Sequence, residues 1–145
     1  MFIRNKGKTK IMNLPVAASA GAMAAGSLVA FSSGTLILAT NTTPSYYIVG
    51  VLRKAVTTAD ADYAVARTLP VEMPVENNVV WEADVTDGTL VASSVGLYFD
   101  LATADDGTGV DQGASTYDIA FCVRYISASK GHFILNIGPA GIAKA

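Results

Sequence analysis

The chain has 145 residues, 51% of them hydrophobic and only 15% charged; this is too apolar for disorder and large enough for one domain with its own core. Ten basic against twelve acidic side chains give a net charge of −2, which argues against a nucleic-acid binder working through overall charge. A single cysteine, Cys122, rules out an intramolecular disulfide, and its place among apolar strand residues marks it as packing rather than a reactive thiol.

The charge is unevenly spread. Arg4, Lys6, Lys8 and Lys10 fall in the first ten residues with no acid among them, which leaves six basic and twelve acidic side chains for the rest. In an extended chain alternate residues share a face at a spacing of about 6.6 Å. The four charges then form one stripe behind a greasy tip of Met1, Phe2 and Ile3, and such a stripe seeks a negative partner. Residues 11–25 are small and flexible; Pro15 opposes a helix, with a short helix over Ala17–Ala25 as the alternative. The basic start and Ala18-Ser19-Ala20 mimic a secretory signal, but Asn13 and Pro15 interrupt its apolar stretch. The same breaks count against a transmembrane helix. Residues 1–25 read as an extended basic and apolar arm that orders on a partner, and 26–145 as the body.

The body reads as strands and turns. Ser27–Phe31 and Thr35–Ala39 flank Ser32-Ser33-Gly34, a hairpin spacing. Tyr46–Lys54 is rich in β-branched and aromatic residues. Val71, Met73 and Val75 alternate with Glu72, Pro74 and Glu76; the prolines Pro70 and Pro74 predict an edge strand, because proline donates nothing to a ladder. Residues 57–67 have room for one helical turn. Val79, Trp81, Ala83 and Val85 oppose Glu82 and Asp84, and Asp87-Gly88 marks a turn. Tyr117, Ile119, Phe121, Val123 and Tyr125 share one face against Asp118 and Arg124, and Phe133, Leu135 and Ile137 oppose His132 and Asn136.

The body also repeats itself. Residues 26–54 and 94–126 each run from a small, apolar opening through a polar loop to a Tyr-led strand. Tyr46, Ile48, Val51, Leu52 and Arg53 align with Tyr117, Ile119, Cys122, Val123 and Arg124. The pseudo-repeats extend over about 26–85 and 94–137. Halves of that size bury too little surface alone, so the expectation is an all-β fold, a single small barrel built from two strand repeats with one shared core.

Chemistry is hard to assemble from these residues. His132 is the one histidine, and no serine sits in a Gly-x-Ser-x-Gly elbow. One His and one Cys exclude a nitrogen and sulfur zinc cage. Asp105, Asp106 and Asp111 surround Gly107 and Gly109, but the full calcium-loop spacing is missing, and Asp60 and Asp62 likewise read as turn formers. No phosphate-cradling glycine motif occurs. The expectation is a non-enzymatic protein without cofactor or metal, contacting neither nucleic acid nor membrane.

Gly26-Ser27-Leu28-Val29, Gly50-Val51-Leu52 and Trp81-Glu82-Ala83-Asp84-Val85, followed by the second round from Gly96-Leu97-Tyr98-Phe99 to Arg124-Tyr125-Ile126, resemble the head decoration (cement) proteins of tailed bacteriophages. The likeness covers residues 24–137; Ser27 stands where that family more often has aspartate. The resemblance implies a β-tulip-like barrel on the outer surface of the expanded capsid. It also implies contact with the major capsid protein and self-association, favouring trimers, at threefold or quasi-threefold positions. Phe2, Ile3, Arg4, Lys6, Lys8, Lys10, Ile11, Met12 and Leu14 would form the capsid-binding arm. Alternatives are another virion part (tail tube, neck or head-fibre base) or a secreted carbohydrate-binding β-module with Trp81, Tyr46 and Tyr47 as a sugar platform.

Overall fold

The computed structural model describes residues 1–102 and 107–137. Its strands are β1 (Ile3–Lys6), β2 (Thr9–Val16), β3 (Leu28–Ser32), β4 (Thr35–Leu38), β5 (Ile48–Leu52), β6 (Arg67–Pro74), β7 (Val80–Asp87), β8 (Tyr98–Leu101), β9 (Gly109–Asp111), β10 (Ala120–Ser127) and β11 (Lys130–Leu135). Short 3-10 turns occupy Ser45–Tyr47 and Ala92–Ser94. Residues 57–67 form turns that lead into β6, without a helix. Among the described residues no helix is long and apolar enough to cross a membrane.

The fold is all-β, as expected, and its strand order exposes the repeat in full. One sheet runs β2-β6-β5-β3-β4, and the other runs β7-β11-β10-β8-β9 with β1 added outside β7. The two five-strand units have the same order, first-fifth-fourth-second-third. In the second unit a parallel ladder between β7 and β9 closes a small barrel. In the first, β2 and β4 approach each other without a ladder, and the sheet stays open.

Equivalent hydrogen bonds fix the correspondence. The Gly26 N–H donates to Leu52 O at 2.7 Å, and the Gly96 N–H to Cys122 O at 2.8 Å. Both glycines hold positive φ, +85° and +90°, a conformation that other residues reach only with strain. Leu28 pairs with Val51 as Tyr98 pairs with Phe121. Leu52 thus matches Cys122, one residue away from the sequence alignment. A bulge where Val29 and Ala30 face Gly50 and Ile48 inserts one residue in β5, so Ile48 still matches Ile119 while everything beyond the bulge shifts.

The repeat boundaries also move. The first unit begins at β2, inside the segment read as an arm, because β2 pairs with β6 along its whole length, from Thr9 opposite Pro74 to Val16 opposite Arg67. Only β1 belongs to neither unit. Residues 3–16 are extended, but the chain's own sheets hold them.

Each unit encloses its own apolar cluster. The barrel is filled by Trp81, Ala83, Val85, Phe99, Leu101, Val110, Cys122 and Phe133, and β7 alternates as expected. On β10 the expected sides are exchanged: Ala120 and Cys122 point inward and Phe121 outward. A narrow barrel already holding Trp81, Phe99 and Phe133 accommodates only small residues opposite them. Val16, Val29, Leu36, Leu52, Leu69 and Val71 form the second cluster. Leu28, Ala30, Ile48 and Val51, on the other side of the first sheet, join the barrel's cluster and glue the units together.

The edge placement of β6 is corrected: it lies between β2 and β5. The Arg53 N–H donates to Pro70 O at 2.9 Å, so the side of Pro70 that lacks a donor faces β5. That strand's ladder with β6 covers only Glu72 and Val71, so the one bond that Pro70 cannot return to Arg53 falls just past the ladder's end.

Two outcomes follow from this packing. A Cβ added at Gly50 would lie 2.4 Å from the backbone oxygen of Glu72. Gly50→Ala is expected to destabilise the chain by about 1–3 kcal/mol in urea unfolding; an unchanged midpoint contradicts the β5–β6 approach. Cys122 is fully buried, and burial raises its thiol pKa. Labelling by a thiol reagent should therefore track global unfolding.

Candidate functional site

The segment that carried the functional expectation is the N-terminal one, and the structure divides its residues into two groups. Phe2 is 0% exposed and belongs to the barrel's cluster, with its N–H donating to Gly26 O at 2.8 Å. Arg4 turns inward to an ion pair. Leu14 is half-buried against the first unit's core. Ile3, Lys6, Lys8, Lys10, Ile11 and Met12 remain on the surface, with Ile11 61% exposed and Met12 39%.

The single stripe expected of Arg4, Lys6, Lys8 and Lys10 is broken. A bulge between Arg4 and Lys6 interrupts β1. Gly7, at φ +102°, then turns the chain from one sheet to the other. A Cβ at Gly7 would lie 2.8 Å from the Val79 Cα, so the turn requires glycine on both counts. Beyond it, Lys10, Met12, Leu14 and Val16 share one side of β2 and descend from solvent into the core.

The inward group centres on Glu72, a residue assigned by sequence to the wet side of an edge strand. It is buried at 4% exposure. Its Oε1 accepts the Thr9 hydroxyl at 2.7 Å and lies 2.9 Å from Arg4 Nε, while its Oε2 meets the Arg53 guanidinium. Burial, and then the charge of Arg4, lower the Arg53 pKa from its ordinary value. One carboxylate thereby ties β1, β2, β5 and β6 together. At the other end, the Met1 amino group donates to Thr108 O and lies 3.3 Å from Asp84 Oδ2 in the second unit. The first residues are a staple between the units. Nothing in the spacing around Glu72 signals this role, because it depends on β6 being an inner strand.

The outward residues lie on both sides of β2, Lys10 and Met12 on the side that leads to Val16 and Ile11 on the side of Glu72, with Ile3, Lys6 and Lys8 on β1 and the turn before them. Among the described residues none of the three lysines has an ion-pair partner. An exposed edge strand that carries apolar side chains and unpaired cations on both sides is suited to a partner that straddles it with apolar and acidic groups.

The other candidates resolve into structure. His132 Nε2 lies 3.5 Å from Glu82 Oε2 on the outside of the barrel. Thr57 donates to Asp60 through its N–H at 3.0 Å and its hydroxyl at 2.8 Å, and these bonds lead in holding that carboxyl below its usual pKa. Asp111 caps the Gly113 N–H at 2.7 Å; Asp105 and Asp106 lie outside the described residues. Among the described residues no cluster of three or more His, Cys, Asp or Glu side chains is placed to hold a metal ion. Trp81 is fully buried and presents no sugar platform, and Tyr46 and Tyr47, though exposed, tilt 51° from one another. No protein-family model, curated protein or solved structure matches the chain.

Removing the staple's centre should cost more than removing one arm of it. Glu72→Ala leaves two guanidinium groups facing each other and is expected to lower stability by about 2–4 kcal/mol. Arg4, half exposed, is expected to contribute at most about 1 kcal/mol. Denaturant unfolding of both variants checks the order; equal losses contradict it.

Proposed function

We propose that this protein is a virion structural component. In this reading it binds the exterior of an expanded phage capsid and clamps neighbouring capsomers against the pressure of packaged DNA. The major capsid protein is its partner, and copies gather at threefold or quasi-threefold positions, with trimers favoured. Neither substrate nor cofactor is required.

The observation that carries the reading is the exposed N-terminal edge, where Lys10 and Met12 stand in solvent on one side of β2, Ile11 on the other, and Lys6 and Lys8 at its start. The resemblance of residues 24–137 to head decoration proteins supplies the partner. A clamp across a junction gains from several modest contacts made at once, since linked contacts reinforce one another. An edge strand pinned to a folded body suits this better than a loose tail, because less ordering entropy is lost on docking.

The test is occupancy on expanded heads. The triple variant Lys6→Glu, Lys8→Glu, Lys10→Glu and the variant Ile11→Asp are both expected to keep wild-type circular dichroism and to lose most of their binding. Wild-type binding should weaken with added salt, since charges are screened over about 8 Å at physiological ionic strength. Occupancy unchanged in both variants would sink the proposal.

A further inference from the structure

Among the described residues nothing covers the outer face of the second unit. Cross-strand register sets an apolar row on it: Tyr98 of β8 beside Phe121 of β10, Phe121 beside Ile134 of β11, and Ile134 beside Val80 of β7. Tyr98 is 38% exposed and the other three are partly exposed. The rings of Tyr98 and Phe121 pack with centroids 4.9 Å apart.

The matching row in the first unit is Leu28, Val51, Glu72 and Ile11. There Leu28 and Val51 are fully buried, because the barrel of the second unit packs on them. The β8–β9 end of that barrel makes the contact: the Leu28 N–H donates to Gly107 O at 2.8 Å. Among the described residues the same face therefore occurs twice, once covered and once bare.

Within the row itself the two faces differ in composition. The covered row contains Glu72, and Arg53 follows Leu52 beside it. At the matching places the bare face has Ile134 and Val123. Farther along the same face, Glu82, Asp84, Lys130 and His132 stand where the first unit has Asn13, Pro15, Thr68 and Pro70, and they pair with one another; the exposed apolar row is thus bordered by charge, as the core of an interface is by its rim. Asp100, which takes the place of Ala30, adds no free charge there. It is buried and accepts the N–H groups of Thr116, Tyr117 and Asp118 at 2.8, 2.7 and 2.9 Å.

We propose that the Tyr98–Phe121 face is a self-association site for a second copy of this chain. The second copy docks through the β3–β4 end of its first unit, as the β8–β9 end of the second unit docks on Leu28 within one chain. Beside that β3–β4 turn lies a groove lined by Phe31, Ser33, Ile37 and Tyr47, with Ile37 and Tyr47 exposed. A face meeting an end is a heterologous contact, which closes into a ring or runs on as a filament. The contact names the surface behind the self-association proposed above but stands without any capsid.

The experiment measures the mass of the purified full chain by sedimentation and light scattering. Wild type is expected at multiples of 15.0 kDa. Phe121→Asp, which breaks the face, and Ile37→Asp, which breaks the end, are each expected to be monomeric. Mixed in equal amounts, they should form a dimer that grows no further, because one good face meets one good end. If Phe121→Asp loses the wild-type circular dichroism, Tyr98→Lys at the more exposed end of the row takes its place. A monomeric wild type, or assembly that survives either substitution, overturns the proposal. The Lys6, Lys8 and Lys10 triple variant should assemble as wild type does, so failure here and failure on capsids are separate results.

Discussion

A buried carboxylate with two arginines around it decides how this chain is arranged. Glu72 sits between β2 and β5 on the outer side of the first sheet, and it needs partners because an isolated charge there is costly. Arg53 comes from the neighbouring strand, but Arg4 comes from outside the unit. Drawing Arg4 to Glu72 places Phe2 under the barrel's cluster and lays Ile3–Lys6 along β7. The N-terminal residues thus join two units that are otherwise copies of one another. Their basic character has two fates, since Arg4 is neutralised within the fold while three lysines stay unpaired in solvent.

The duplication gives this arrangement its sense. Two units share a strand order, a glycine-opened second strand and a matched pair of cross-strand bonds, yet they face different surroundings. The first has its outer side covered by the second and the staple. The second has its barrel closed and, among the described residues, its outer side bare. Differences at matched positions follow those surroundings: Glu72 where an arginine arrives, Ile134 where none does. Met12 is 39% exposed where its counterpart Trp81 is 0%, because β1 covers the edge of β7 and nothing among the described residues covers the same stretch of β2.

Much of the fold was legible in the residues. Alternation in Val79–Val85 placed Trp81 inside, and the Ser32-Ser33-Gly34 and Asp87-Gly88 turns fell where strands end. The repeat itself was visible, although a one-residue bulge in β5 hid its true register. Three features were not legible, each for a physical reason. The side of β10 that faces inward is set by the space left around Trp81, Phe99 and Phe133, not by its own pattern. The prolines of β6 implied an edge only because the short reach of β5 was unknown. The N-terminal segment looked separate because charge and small residues describe a tail as well as they describe an edge strand, and only the distant Glu72 distinguishes them.

Whether those first residues belong to the fold is the point on which everything above rests, and amide hydrogen exchange of the free protein measures it directly. If the staple holds, the ladder amides of Ile3–Lys6 and Thr9–Val16 exchange slowly, together with those of β7 and β6 to which they are paired. Exchange of residues 3–16 at the rate of an unstructured chain, with β6 and β7 still protected, would contradict it.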